Sequence, residues 1–257
     1  MDYKALITDL DGTAVKISSN GQDISEAAIE AIKKAQNKGV KIACATGRRW
    51  LYTKNIVHKL GITDACIVEG GTRILDPVTE KTLWEKGLDA NALAATLDIF
   101  QRESDEGALS TLHFREEPLH SVSSVTNDSR FMYLLGIESK IADVICNTIN
   151  EQGFAVAHST LSWSGGNRLD VHVTHPEATK EHALQVWHTI ESVTKEETIA
   201  MGDSGNDVPL FQSAGFKIAV SNANAELKQL ADYIAPNDKQ QALEHVINRF
   251  LLVDSEA

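Results

Sequence analysis

Cysteine is scarce in this sequence, and long apolar runs are missing. The three cysteines in 257 residues are Cys44, Cys66 and Cys146, and their spacing matches no paired metal-ligand motif. We expect them to be small buried side chains in a reducing compartment and assign them no chemistry. No apolar stretch approaches the roughly 20 residues that span a bilayer, and the chain opens without a charged leader followed by an apolar region. We therefore expect a cytoplasmic protein.

Positive charge is also in short supply. The chain has 24 Lys and Arg against 36 Asp and Glu, a formal net charge of −12. Because an acidic surface repels phosphate backbones and anionic lipid heads, nucleic acid and membranes are poor candidate partners. A phosphorylated substrate would have to be attracted by cations near its binding site. The overall composition is that of an ordinary folded protein, and the length allows one large α/β unit or two smaller domains.

Apolar segments and helical patterns alternate near the start of the chain. Residues 5–8, 40–45 and 65–68 predict short buried strands, and 25–38 and 50–60 carry the apolar spacing of helices. Strands joined by helices at these lengths indicate parallel crossover connections. We predict an α/β fold whose core is a doubly wound, Rossmann-like parallel sheet.

The pattern changes after residue 87 and later resumes. A helical stretch at 91–103 is followed by mixed helices and alternating strands, such as 169–173. This predicts a core domain formed by 1–87 and 175–257, with an α+β domain inserted at 88–174. Further core strands are predicted at 198–201, 216–220 and 233–235.

Two carboxylates follow the first predicted strand. Asp9 and Asp11 stand two residues apart, and Gly12 allows the chain to leave the strand sharply. Ligands of open α/β sheets bind at the carboxyl ends of the strands. Such a pair needs a cation, and Mg²⁺ is usually held by one or two carboxylates together with substrate phosphate oxygens. Taken alone, these residues also suit an ordinary turn.

Three other places put polar groups where predicted strands end or the core resumes. Thr46 and Gly47 offer a hydroxyl and amides to phosphate oxygens, although taken alone they are better interpreted as an N-cap with a glycine turn. Lys180 would neutralise a phosphoryl group, although most lysines lie on the surface. The segment 202–207, with Asp203, Asn206 and Asp207, fits metal coordination better than it fits an ordinary loop.

Taken together, the segments 9–13, 46, 180 and 202–207 make a family recognisable. The chain resembles the haloacid dehalogenase-like phosphohydrolases, whose motifs match these residues in the same order. The Thr46-Gly47-Arg48 and Gly202–Asp207 segments resemble the Cof-type, subclass IIB, sugar phosphatases. In that branch an α+β cap lies between the second and third motifs, which corresponds to 88–174 here.

The resemblance implies a role for each matching residue. Asp9 would attack phosphorus to form an aspartyl-phosphate, and Asp11 would be the general acid and then the base. Mg²⁺ would be held by Asp9, the Asp11 carbonyl and Asp203, with Asp207 as a ligand or as support for one. The groups that would hold the phosphoryl oxygens are Thr46, Gly47, Lys180 and Asn206.

One segment departs from the family pattern, and one neighbouring residue stays out of the site. Relatives often carry asparagine where this chain reads Glu69-Gly70-Gly71, which removes an amide side chain from the rim. Arg48 follows Thr46 closely enough to help bind an anionic group, but a helix-entry arginine paired with a local carboxylate is at least as good an interpretation.

The resemblance implies a Mg²⁺-dependent phosphatase for small phosphomonoesters such as sugar phosphates or phosphoglycolate-like metabolites. The expected partner is a small phosphorylated metabolite, and the expected state is a monomer or homodimer. The cap would close over the substrate and select the leaving group. The alternatives are a phosphomutase acting on hexose phosphates, a receiver-type signalling domain phosphorylated on aspartate, and a binding protein that has lost the chemistry.

Overall fold

The computed structural model describes residues 3–18, 21–103, 112–114, 117–118, 131–162, 168–236 and 242–252. The chain divides into two compact units. Unit 1 consists of Met1–Trp84 and Lys180–Ala257, and unit 2 consists of Glu85–Thr179.

The first part of unit 1 alternates strands and helices. Helix α1 (Glu26–Asn37) buries Ala28, Ala31, Ile32 and Ala35 at helical spacing. Helix α2 (Trp50–Leu60) ends at Gly61, whose φ of 74° suits glycine. Both predicted helices are confirmed to within a residue or two. The strands are β1 (Ala5–Thr8), β2 (Lys16–Ser18), β3 (Gly21–Asp23), β4 (Lys41–Cys44), β5 (Cys66–Val68), β6 (Arg73–Leu75) and β7 (Thr82–Glu85).

Unit 2 has an antiparallel sheet and its own apolar core. The sheet order is β11-β12-β10-β8-β9, and the core includes Leu93, Phe100, Met132, Ile145 and Val171. The elements are α3 (Ala90–Glu103), β8 (Leu112–Phe114), β9 (Glu117–Pro118), β10 (Phe131–Glu138), α4 (Ser139–Gln152), β11 (Val156–Leu161) and β12 (Arg168–Thr174).

A bulge in β10 is held by side chains of β12. The pairing of β10 with β12 shifts between Leu134 and Ile137. At this point Gly136 has a φ of 65°, its amide donates to Asp170 Oδ1 over 2.7 Å, and its carbonyl accepts from Arg168 over 2.6 Å. Asp170 and Arg168 therefore have structural partners within unit 2.

The second part of unit 1 completes the core sheet. Its order is β15-β14-β13-β1-β4, and all of its neighbouring strands pair in parallel. The predicted doubly wound parallel sheet is confirmed. None of the helices in the described part of the chain is long and apolar enough to cross a bilayer. The elements are α5 (Lys180–Glu191), β13 (Thr198–Gly202), a 3₁₀ turn (Gly205–Asp207), α6 (Val208–Gln212), β14 (Phe216–Val220), α7 (Ala225–Leu230), β15 (Tyr233–Ala235) and α8 (Ala242–Phe250).

The strand predicted at 65–68 differs from a regular member of the parallel sheet. It forms β5, which pairs antiparallel with β6, and a parallel bridge joins Ala45 to Ile67. The cause is the turn that follows, because Glu69 and Gly70 both have positive φ, 58° and 72°. The chain reverses there and continues into β6 instead of into a crossover helix.

Two of the three cysteines show the burial expected of structural thiols. Cys44 and Cys66 are buried, and Cys146 is half-buried. Burial raises the pKa of the Cys146 thiol to about 11, so all but a small fraction is protonated at neutral pH.

Candidate active site

Asp9 occupies the end of the central strand β1. Its amide donates to the Met201 carbonyl over 2.8 Å, which continues the pairing with β13 by one residue. The residue is only 5% exposed. Strand β1 lies between β13 and β4, so the loops after both neighbouring strands leave the sheet at the same edge as Asp9.

Lys180 is the first residue of α5 and is 4% exposed, so the surface interpretation is wrong. Its ammonium donates to Asp9 Oδ1 over 2.9 Å and to Asp207 Oδ1 over 2.6 Å. Burial alone would lower the pKa of Lys180, but the Asp207 and Asp9 carboxylates outweigh it and raise the pKa above its usual value. Lys180 is therefore a buried, permanently charged cation at the side of Asp9.

Asp207 organises the loop that follows β13. It is fully buried, and its Oδ2 accepts the amides of Asp203 and Ser204 over 3.1 and 3.2 Å. Gly202 is required beneath it, because a Cβ there would lie 2.6 Å from the Asp207 Cβ. Since Lys180 takes the other oxygen, both oxygens of Asp207 have protein partners. This arrangement suits a support residue better than a metal ligand.

Asp203 faces the turn that follows β1. Its Oδ1 accepts from the Thr13 hydroxyl over 3.3 Å, and its Oδ2 would lie 2.4 Å from a Cβ added at Gly12. The close approach of these two loops therefore depends on the missing side chain at Gly12. Asp203 is half-buried, which leaves it accessible to a ligand.

The carboxylates of this region fit a divalent cation. Asp9, Asp203 and Asp207 each offer an oxygen, and these atoms lie within 4.8 Å of one another. Burial raises the pKa of Asp9 to about 8, with Lys180 opposing the shift and Asp207 and Asp203 adding to it. Burial and the Asp207 charge also raise the pKa of Asp203 to about 6. A hard cation with oxygen ligands would relieve this crowding of negative charge, and the donor set suits Mg²⁺.

Asp11 forms a two-point ion pair that sequence analysis left open. Arg48 Nε donates to Asp11 Oδ2 over 2.5 Å, and Arg48 Nη2 donates to Asp11 Oδ1 over 2.6 Å. Such parallel bonds fix the plane and orientation of a carboxylate. The interpretation of Arg48 as the partner of a local carboxylate is confirmed. The sequence signal for this pairing was the position of Arg48 just after Thr46, at the end of β4, which lies beside β1.

The other predicted phosphate ligands lie on the flanking loops. Thr46 is buried after β4, and its hydroxyl accepts the Arg48 amide over 3.1 Å. Gly47 follows it and is partly exposed. Asn206 is exposed on the loop after β13, where its Oδ1 accepts from the Ser204 hydroxyl over 2.8 Å. The loops of Thr46 and Asn206 thus stand on the two sides of Asp9.

The Glu69-Gly70-Gly71 segment, which differs from the family pattern, is hydrogen-bonded to the loop that carries Thr46. The Glu69 amide donates to the Arg48 carbonyl over 2.9 Å, and the Gly70 amide donates to the Thr46 carbonyl over 3.0 Å. Glu69 is 4% exposed, and its carboxylate lies 3.9 Å from the Arg73 guanidinium. This segment supports the backbone from which Arg48 reaches Asp11.

Comparisons with known proteins identify relatives of this chain. A family model described as haloacid dehalogenase-like hydrolase matches residues 6–117 and 103–247. Phosphoglycolate phosphatase of Methanobrevibacter smithii is 27% identical over 98% of this chain and 100% of its own length. The 5-amino-6-(5-phospho-D-ribitylamino)uracil phosphatase YcsE of Bacillus subtilis is 25% identical over 98% of this chain and 97% of its own length.

Solved structures share the fold. A haloacid dehalogenase-like hydrolase from Bacteroides thetaiotaomicron superposes with a TM-score of 0.78 at 19% identity, covering 96% of this chain and 99% of its own. The HAD subclass IIB sugar phosphatase BT4131 superposes with a TM-score of 0.77 at 20% identity, covering 97% of this chain and 100% of its own.

Proposed function

The chain belongs to the haloacid dehalogenase-like hydrolase family and is a phosphatase, and from that premise we propose that it cleaves small phosphomonoesters with Mg²⁺ through an aspartyl-phosphate on Asp9. The observation that carries the proposal is the position of Asp9. Its buried carboxylate lies at the central strand end, bonded to Lys180 and within reach of a cation shared with Asp203. A receiver domain does not fit this membership, and the presence of Asp9, Lys180 and Asp203 argues against a binding protein that has lost the chemistry.

In the first step, an Asp9 carboxylate oxygen attacks phosphorus, and the bond from phosphorus to the ester oxygen breaks. Asp11, which enters this step protonated, supplies the proton that the leaving oxygen takes up. The site would hold Mg²⁺ through Asp9, the Asp11 carbonyl and Asp203, and the cation would supply charge neutralisation for an anionic nucleophile and an anionic substrate.

In the second step, Asp11 removes a proton from water, whose oxygen attacks the phosphorus of the aspartyl-phosphate. Inorganic phosphate leaves, and the Asp9 carboxylate is restored. Lys180, Thr46, Gly47 and Asn206 are proposed to hold the phosphoryl oxygens, with Asp207 orienting Lys180 through its 2.6 Å bond. The charge of Lys180 is available throughout, because its pKa is raised by its carboxylate neighbours.

The substrate proposed is a sugar phosphate or a phosphoglycolate-like metabolite. This proposal rests on the relatives, which are phosphatases of small phosphorylated metabolites by name. We assign the choice of leaving group to unit 2, whose range, Glu85–Thr179, overlaps the cap that the sequence predicts.

The test is a panel of sugar phosphates, phosphoglycolate and nucleotides, assayed for free phosphate with Mg²⁺ and with EDTA. We expect release of phosphate from at least one small phosphomonoester, and loss of release with EDTA that excess Mg²⁺ restores. Activity that EDTA leaves intact would contradict the metal assignment. Isomerisation of a hexose phosphate without net release of phosphate would favour the phosphomutase instead.

Arg48→Lys tests the pairing of Arg48 with Asp11. Lysine keeps the positive charge but cannot form the two parallel bonds, so Asp11 loses its fixed orientation. The value of kcat/KM reports the steps up to and including the first phosphoryl transfer. In that step an alkyl ester leaves as a strongly basic alkoxide, which depends on a proton from Asp11, whereas p-nitrophenolate is a weak base and depends on that proton far less. We expect kcat/KM to fall about 10- to 100-fold for an alkyl phosphate, and no more than about threefold for p-nitrophenyl phosphate.

The matched control is Arg49→Lys. Arg49 lies over the Tyr52 ring, 5.0 Å from its centroid, and should tolerate the change with both substrates. Equal losses of kcat/KM for both esters in Arg48→Lys would show that Arg48 does not act through proton transfer.

A further inference from the structure

The loop after β14 contacts both loops that carry proposed metal ligands. The Asn222 side-chain amide donates to the Gly12 carbonyl over 2.9 Å. Two residues later, the Asn224 backbone amide donates to the Asp203 carbonyl over 2.9 Å. In the sheet, β14 is separated from β1 by β13. Asn222 therefore reaches past the neighbouring strand to hold the turn after β1.

The turn at Gly12 is held by hydrogen bonds within the loop and by a contact from outside it. Gly12 has a φ of 78° and packs so closely on Asp203 that a Cβ has no room. Glycine is the residue that restrains its own backbone least. The Gly12 amide donates to the Val15 carbonyl over 2.9 Å, which fixes the peptide that also contains the Asp11 carbonyl. The next peptide contains the Gly12 carbonyl, and Asn222 binds it.

We propose that Asn222 is a positioning residue for the metal site: it fixes the Gly12 turn so that the Asp11 carbonyl and Asp203 stay placed to bind the same cation. The proposal rests on the proposed function, because it takes Mg²⁺ as the cation. Asn222 and the Val15 carbonyl hold the two peptides that flank Gly12, and Asn224 holds Asp203 from the same loop. Loss of the Asn222 amide would weaken the hold on the second of these peptides, whose Thr13 amide also donates to the Leu10 carbonyl over 3.3 Å, and would leave the carboxylates in place.

The inference predicts a change in metal affinity and not in chemistry. Asn222→Ala removes the side-chain donor, and in Asn222→Ser the side chain is too short for its hydroxyl to reach the Gly12 carbonyl. We expect the dissociation constant of Mg²⁺ to rise about tenfold, as is typical when partners of metal ligands are removed. At saturating Mg²⁺, kcat for p-nitrophenyl phosphate should return to within about twofold of the wild-type value.

Metal binding is measured without turnover, by competing Mg²⁺ against Mn²⁺ and following free Mn²⁺ by electron paramagnetic resonance. Circular dichroism melting shows whether each variant is folded, and the exposed position of Asn222 favours folding. Asn147→Ala, a change at an exposed asparagine of α4, is the matched control and should bind Mg²⁺ like the wild type.

Two results would overturn the inference. One is an unchanged Mg²⁺ affinity in both folded variants, and the other is a kcat that stays low at saturating Mg²⁺ although the metal site is filled. Wild-type protein that binds neither Mg²⁺ nor Mn²⁺ would contradict the proposed function, and this inference with it. Wild-type binding with unaltered variants would contradict the inference alone.

Discussion

Asp9→Asn is expected to lower kcat for Mg²⁺-dependent hydrolysis of p-nitrophenyl phosphate by about 1,000-fold or more. The amide keeps the shape of the side chain but is a poor nucleophile, and it removes one anionic ligand from the metal site. Because the proposed intermediate forms on Asp9 itself, no other carboxylate of the site replaces it. The measurement is steady-state release of p-nitrophenolate at saturating Mg²⁺. A variant that keeps a tenth of the wild-type kcat would place the nucleophile elsewhere.

The same variant should remain folded, which separates loss of chemistry from loss of structure. In the folded protein burial raises the pKa of Asp9 from 3.8 to about 8. Between these values the folded state keeps a proton that the unfolded state releases, so this group lowers metal-free stability as pH rises through the window. Neutral asparagine has no such dependence. We expect metal-free Asp9→Asn to melt at or above the wild-type temperature at pH 8, while Asp98→Asn, at an exposed ion pair with Arg102, changes neither activity nor melting appreciably.

Much of the core could be predicted from local pattern. Strands β14 and β15 have the predicted bounds, 216–220 and 233–235, and α2 has the predicted bounds 50–60. These segments are short apolar runs or amphipathic spacings with clear ends, such as Gly61 after α2. The edge of the sheet where the site lies follows from the same pattern, because parallel strands end on one side.

The partners within the site could not be predicted, because they join distant parts of the chain. Lys180 contacts Asp9 across 171 positions and Asp207 across 27, and Arg48 contacts Asp11 across 37. Sequence spacing does not encode such contacts, so taken alone Lys180 had a surface interpretation and Arg48 a helix-entry one. The family resemblance is what placed Lys180 at the phosphoryl oxygens. The direction of β5 depends on Glu69, a non-glycine residue with positive φ, which residue preference argues against.

Lys180→Met is expected to reduce both stability and activity. It removes the cation between two buried carboxylates, and an unpaired buried charge costs about 3–5 kcal/mol. It also removes positive charge from the phosphoryl site, and we expect kcat to fall at least about 100-fold. Chemical denaturation in metal-free buffer gives the free energy of unfolding. Lys33→Met, at an exposed position of α1, should change neither quantity appreciably.

The double variant Lys180→Met/Asp207→Asn separates the two roles of Lys180. Asparagine removes the negative charge left at Asp207 and keeps one oxygen for the amides of Asp203 and Ser204, which bind Oδ2 in the wild type. The remaining Asp9 is protonated at neutral pH, since its pKa is already raised to about 8 with Lys180 present. We therefore expect the double variant to recover about 1–3 kcal/mol relative to the sum of the single changes, while its kcat stays as low as that of Lys180→Met. Strict additivity of the two losses in stability would mean that Lys180 and Asp207 are not coupled. A return of activity in the double variant would mean that Lys180 serves only to neutralise Asp207, and that the phosphoryl oxygens are held by other groups.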